Sequence, residues 1–368
     1  MTLSIADTID QIAPRLPPAL VSGTALAAVR RVAASLPATL TQWIDLECRL
    51  QSGSPQVDLS VRVDAVQARA LARVATRCQA RAGHAPDGWR TPAASWQRVA
   101  AMAAAWDAAT AAADVEGLWL EFDIRDDAAP LPRMFIDFAR NRWTPHEAAA
   151  RVRAVLAPHV SGAWMRDAIA RCLDRLPSDV ELRYVGLPAD DEVRVIRLCL
   201  LVRDERHALE CLTAVRWPGD IEPVRRLCDR WRRSRGADHT NGAILHLDVT
   251  RSAAPADRIG LECPFRRRPQ VKGVLTDAAF LDELVACGAC SAAKRDALMR
   301  WAGCELASLP HALSPRLLLR RISHVKVVFD RHRDPEAKAY LCAAHLARPR
   351  AAAAIRPPAL FANRPIAP

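Results

Sequence analysis

Residues 43–50, WIDLECRL, and 57–64, VDLSVRVD, decide the fold. In the first, Leu46, Cys48 and Leu50 alternate with Asp45, Glu47 and Arg49; in the second, Leu59, Val61 and Val63 alternate with Asp58, Ser60 and Arg62. Successive strand side chains point to opposite faces, so each segment reads as a strand with one apolar and one charged face. The intervening QSGSP is turn chemistry, and the two strands form a β-hairpin.

Four more hairpins follow. LWLEFDI (118–124) returns through MFIDF (134–138), and ELRYVGL (181–187) pairs with VRVIRLCLLV (193–202). ILHLDV (244–249) pairs with RIGLECPF (258–265), and SHVKVVFD (323–330) with EAKAYLC (336–342). Between hairpins the chain is amphipathic or alanine-rich and predicts helix pairs over 65–81 and 95–113, 145–157 and 162–176, 207–215 and 221–235, and 277–287 and 291–302. Thr144 and Ser291 stand at N-cap positions. The unit helix–strand–strand–helix therefore recurs five times, and 368 residues form one repeat-built domain over 1–347, with an alanine- and proline-rich tail at 348–368.

The apolar strand faces need a cover, which the helices supply, whereas the charged faces cannot form a dry core. An α+β fold follows, a ten-stranded antiparallel β-barrel with an outer ring of helices and a wet lumen. An open sheet with helices on one face and solvent on the other is the competing arrangement.

Composition excludes several classes. No run of about 18 apolar residues suits a membrane span, and MTLSIADTID lacks the features of a signal peptide, so the expectation is a cytoplasmic protein with no membrane insertion. Eleven cysteines without framework spacing read as reduced thiols in the packed layer. Cys287-Gly-Ala-Cys290 is a lone CxxC better explained by one helix ending at Gly288 and another starting at Ser291, so no metal site is expected. The net charge of +11 and the clusters at Arg230–Arg233 and Arg266–Arg268 carry no nucleic-acid motif and little aromatic interleaving; no nucleic-acid partner is expected.

The lumen faces carry Arg62, Arg197, Lys326 and Lys338 on different strands, with Tyr340 two positions beyond Lys338. Brought together by closure, they form a phosphate or diphosphate site without a glycine loop. Pairing of each cation with a lumen carboxylate is the alternative, since Asp45, Glu47, Asp58, Glu121, Asp123, Asp137, Asp248 and Glu262 share that face.

With its fivefold αββα order, the chain resembles the ABBA-type aromatic prenyltransferases, and within them the bacterial cyanobactin-type peptide prenyltransferases. The resemblance rests on LECRL and VDLSV in the first hairpin, RLC at 197–199, RIGLE at 258–262, and ISHVKVVFD with EAKAYL at the end. It implies a barrel holding an allylic prenyl diphosphate and an acceptor. The catalytic carboxylate then matches Glu47, and the diphosphate ligands match Arg62, Arg197, Lys326, Lys338 and Tyr340. Two departures are evident: Asp137 stands where such enzymes commonly place a further cation, and HVKVVF lacks their usual tyrosine.

Ionisation of an allylic donor requires countercharge for diphosphate and exclusion of water from the carbocation. Cations do the first, and aromatic walls such as Trp119 and Phe135 the second. Glu47 would take or orient the acceptor's proton. Asp45, Asp58, Trp119, Glu121, Asp123, Phe135, His246, Gly260 and Glu262 make up the expected acceptor and prenyl pocket, and Gly260 is expected to leave room for a donor longer than dimethylallyl. No DDxxD motif occurs, since Asp190-Asp191-Glu192 lacks the spacing, so no cofactor is required and magnesium is at most an aid. The implied acceptor is a peptide side chain of Arg, Trp or Tyr type in peptide natural-product biosynthesis. A small-molecule indole or phenol acceptor, and a non-catalytic barrel binding a phosphorylated lipid or peptide, are the alternatives.

Overall fold

A computed structural model describes residues 4–36, 40, 43–64, 67, 70–73, 99, 101–103, 115–124, 132–138, 143–156, 163–187, 195–235, 242–252, 254–265, 278–307 and 316–346. All five expected hairpins form: β1 (Trp43–Arg49) with β2 (Val57–Val63), β3 (Val115–Phe122) with β4 (Pro132–Phe138), β5 (Glu181–Leu187) with β6 (Val195–Val202), and β7 (Ala243–Thr250) with β8 (Pro255–Pro264). After the additional β9 (Gly303–Ala307), β10 (Arg316–Asp330) pairs with β11 (Arg333–Leu346).

The strands run antiparallel in order from β1 to β8; β10 then adds to β8, and β11 joins β10 to β1. The sheet is thus a closed barrel of ten strands rather than an open one, with Glu47 opposite Tyr340 and Arg49 opposite Lys338 across the closing seam. The eleventh strand, β9, was not expected. It pairs with Arg316–Arg320, the first part of a β10 that begins well before Ser323, and an irregularity between Ile322 and Val325 separates this extension from the barrel stretch. In RLLLRR the apolar residues are consecutive, so no period-2 pattern announces a strand there.

Helices α1 (Ile5–Ile12) and α2 (Gly23–Ser35) precede the first hairpin, where the hairpin pattern makes no prediction. In α1 the spacing of Ile5, Ile9 and Ile12 puts all three on one buried face. Ser4 and Asp7 close its start reciprocally, as a capping box. The later pairs are α3 (Pro145–Leu156) and α4 (Ala163–Leu173), α5 (Glu205–Ala214) and α6 (Ile221–Arg235), and α7 (Ala278–Ala286) and α8 (Ala292–Trp301), all within a few residues of expectation. The helices expected over 65–81 and 95–113 lie mostly outside the described residues, as do the tail, Arg266–Arg268 and the 190–192 turn. None of the described helices is long and apolar enough to cross a membrane.

The main core lies between the outer sheet face and the helices. Leu46, Leu59, Val61, Leu118, Ile136, Leu198, Leu261 and Leu341 meet helix residues such as Val224 and Trp231 there. The Arg230–Arg233 cluster belongs to the solvated side of this layer: Arg230 ion-pairs with Glu283 of α7 and Arg232 with Asp229, while Trp231 is buried. At the CxxC, Gly288 takes φ +76° and Ser291 caps α8, so the segment is a helix stop and start as expected. Ser291→Ala, which removes that cap, is expected to cost about 1 kcal/mol in urea unfolding. Among the described cysteines, Cys287 and Cys304 are exposed, and Cys199 and Cys342 face the lumen rather than the outer layer.

Candidate active site

The lumen is divided into two connected compartments. One, charged, holds about 860 Å³ including its mouth and lies beside the β1–β2 and β10–β11 turns; the other, aromatic, holds about 670 Å³. Both volumes fall in the range of about 300–1,000 Å³ typical of small-molecule sites. Three residues, Glu121, His246 and Lys326, line both.

Among the described residues seven basic side chains border the charged compartment against five acidic ones, an excess of positive charge. Lys326, Lys338 and Arg197, expected as diphosphate ligands, are among them, and Arg49, Arg133, Arg258 and Arg333 join them. The latter four are not among the residues expected at the lumen site, although strand parity puts Arg49 on the face of Glu47 and Arg133 on that of Phe135. Carboxylates hold several of these cations. Arg197 makes a two-pronged pair with Asp248 at 2.6 and 2.8 Å, Arg133 meets Asp123 at 2.6 Å, and Arg49 meets Asp58 at 2.6 Å. Asp58, completely buried, also accepts from the backbone N–H of Ile124, so it braces Arg49 rather than lining either compartment.

Glu47 lies between the strands that close the barrel. Its Oε1 accepts from Lys338 Nζ at 2.7 Å with Arg49 at 3.5 Å, and its Oε2 accepts a short hydrogen bond from Tyr340. Burial would raise its pKa, but Lys338, Arg49 and Lys326 outweigh that and hold it well below the ordinary carboxylate range. Tyr340 contributes its ring to the aromatic compartment, stacked on His324 at 3.9 Å, instead of facing the charged one.

Arg62 stands apart from the other expected diphosphate ligands. It lies 3.6 Å from Asp137, which is fully buried and 2.7 Å from Arg183. Arg183 also donates to the Phe138 carbonyl and to Glu116. Burial pushes Asp137 up to about 6 against the pull of Arg183 and Arg62. Simple alternation puts Arg183 on the outer face with Val185; a register shift between Leu182 and Tyr184 turns it toward Asp137. Asp137 is thus neutralised from β5, and Arg183 lines neither compartment.

The aromatic compartment is walled by Trp43, Trp119, Phe135 and Tyr184, with Asp45, Glu262, His324 and Arg321 among its polar groups. Trp119, Phe135, Asp45 and Glu262 were expected here; Trp43, Tyr184, His324 and Arg321 were not. Burial pushes Asp45 up to about 7, with Arg321 opposing. Asp45 Oδ1 and Arg321 Nε have no hydrogen-bond partner. Glu262 lies 2.7 Å from His246 Nε2, and the opposite ring nitrogen of His246 meets Lys326 Nζ at 3.1 Å and Cys199 Sγ at 3.4 Å. Burial and the neighbouring Lys326 push His246 down to about 4.

Gly260 faces the lumen as expected but borders the charged compartment. A Cβ there would stand 2.7 Å from Lys326 Cε, so the room left by the glycine is taken by Lys326 rather than open to a prenyl chain. Gly260→Ala is therefore expected to displace Lys326 and, through it, to weaken binding of inorganic diphosphate severalfold, which calorimetric titration of the variant against wild type measures.

Neither a protein-family model nor a curated protein sequence matches the chain. Solved structures do match its fold. The prenyltransferase PriB, in ternary complex with L-tryptophan and dimethylallyl thiolodiphosphate, superposes with a TM-score of 0.54 at 18% identity, over 91% of this chain and 95% of that one. The 5-dimethylallyl tryptophan synthase from Streptomyces coelicolor, in complex with DMASPP and Trp, gives 0.59 at 15% identity, over 93% and 95%. AnaPT from Neosartorya fischeri gives 0.54 at 11%, over 92% and 91%. The chain thus has the ABBA prenyltransferase barrel fold over nearly its whole length.

Proposed function

We propose that the protein transfers an allylic isoprenoid from its diphosphate to a nucleophilic side chain held in the same lumen. The observation that carries this reading is the junction of a positively charged compartment with an aromatic one inside a closed barrel. Lys338, Lys326 and Arg197 would exchange their carboxylate partners for diphosphate oxygens, supplying the countercharge that ionisation of the donor needs. Trp119, Phe135 and Tyr184 would surround the prenyl chain and stabilise its cation through their ring faces. Arg62, with Arg183 and Asp137, shapes the lumen wall.

For the acceptor, the orphaned Asp45 Oδ1 in an aromatic box favours a group bearing N–H donors and a flat face, while the unpartnered Arg321 Nε–H is left for a carbonyl or carboxylate oxygen of the same molecule. An indole or guanidinium side chain, free or within a peptide, has that chemistry, and a peptide acceptor remains the reading drawn from the cyanobactin-type motifs. The test is incubation with dimethylallyl, geranyl and farnesyl diphosphates against tryptophan, tyrosine, arginine and short peptides containing them, read by mass. A prenyl mass increment with diphosphate release is expected. Donor binding with no transfer to any acceptor would instead favour a binding barrel, and absence of donor binding would reject both.

A further inference from the structure

The transfer reaction must dispose of a proton, and the carboxylate expected to take it is poorly suited. Both oxygens of Glu47 are occupied, by Lys338 and Tyr340, and three cations stabilise its ionised form. A carboxylate so stabilised is a weak base. It is also absent from the lining of the aromatic compartment, where the acceptor is placed above.

A proton acceptor has to stand where the two compartments meet, because the bond to the acceptor forms at the donor carbon that leaves diphosphate. Among the described residues three side chains reach that junction. Lys326 is a cation committed to countercharge. His246 has Glu262 at one ring nitrogen and Lys326 and Cys199 at the other, so neither nitrogen is open. Glu121 differs: among the described residues no hydrogen bond or ion pair reaches its carboxyl, and its side chain is only half-buried.

On the reading of the protein as a prenyltransferase, we infer that Glu121 is the group that takes the acceptor's proton. The C1–O bond of the donor breaks with its electron pair leaving on diphosphate. An electron pair of the acceptor forms the new bond to C1, and the proton on the attacked atom passes to a Glu121 oxygen, giving neutral product. Glu47 then serves as a positioning residue that fixes Lys338 and Tyr340. The electrostatics agree: burial, with the charges of Glu47 and Asp123, pushes Glu121 up to about 7 against Lys326 and Arg133. Arg197 and Tyr340 also interact with it. Ser60 faces it from β2 and Arg133 from β4. A base with a pKa near the working pH combines an available ionised form with real proton affinity.

The experiment is the pH dependence of transfer, at saturating donor, for wild type, Glu121→Gln and Glu121→Asp, with donor affinity measured alongside. Wild-type transfer should rise with pH through a limb near 7. Glu121→Gln should lose that limb and about 10²-fold in rate, with donor affinity within about twofold of wild type. Glu121→Asp should keep the limb at a shifted midpoint, which decides the matter if the glutamine variant does not fold. A Glu121→Gln enzyme that transfers at near wild-type rate or retains the limb, or an aspartate variant whose limb does not move, overturns the assignment while leaving the transferase reading intact. Absence of transfer by the wild type with every acceptor overturns both.

Discussion

Glu47→Gln is expected to lower the unfolding free energy by about 3–5 kcal/mol, the usual cost of breaking a buried ion pair by removing one partner. Glutamine keeps the shape, but Lys338 at 2.7 Å loses its anion, and Arg49, which keeps Asp58 at 2.6 Å, loses a second one at 3.5 Å. Only 2% of Glu47 is exposed, so water cannot take over. The sign with pH follows from the depressed pKa of Glu47. The stabilisation is fully present above the ordinary glutamate value of about 4.3 and is lost as pH falls through the lower folded value. The gap between wild type and variant should therefore narrow in strong acid. Urea unfolding at pH 7 and at low pH measures it, and a difference under about 1 kcal/mol at pH 7 would mean that Arg49 and Lys338 find other partners.

Lys338→Ala is expected to weaken binding of an allylic diphosphate by roughly 10- to 150-fold, the loss of one charge-assisted contact of about 1.5–3 kcal/mol. Lys338 borders the charged compartment while donating to Glu47, so the substitution touches both the fold and the proposed diphosphate site. The double variant Glu47→Gln/Lys338→Ala separates the two. Groups in direct contact couple by about 0.5–3 kcal/mol, so the double variant should be less destabilised than the sum of the singles, while its donor affinity stays as low as that of Lys338→Ala alone. Donor affinity of the Lys338→Ala protein equal to wild type would remove this residue from the diphosphate site.

Much of this architecture was legible in the alternation of WIDLECRL and its counterparts, because period-2 patterning depends only on strand geometry and on which face is covered. That Glu47, Lys338 and Tyr340 share the lumen face followed once closure was assumed; that they pair with one another did not, because the two last-hairpin residues read as diphosphate ligands. What alternation could not reach were the places where the period breaks. The register shift at Leu182/Tyr184 turns Arg183 inward, and the consecutive leucines of RLLLRR conceal both β9 and the start of β10. Parity also says which side chains face the lumen but not how high they stand along its axis. That is why Arg62 was grouped with Lys326 and Lys338 although it meets Asp137, and why Gly260 was read as free space although Lys326 fills it.

The seam that closes the barrel joins residues 291 positions apart at Lys338 and Glu47, and 293 apart at Tyr340 and Glu47. Contacts of such separation cost loop-closure entropy before they return any stabilisation, and they slow folding. Hairpins, whose partners are near in sequence, can form as the chain is synthesised, but β1 must wait with an unpaired edge until β11 exists. The strand that carries Glu47 is thus the first laid down and among the last satisfied. A nascent chain lacking 333–346 has neither a closed wall nor Lys338 and Tyr340, so the lumen site and the end of the barrel's chain arrive together.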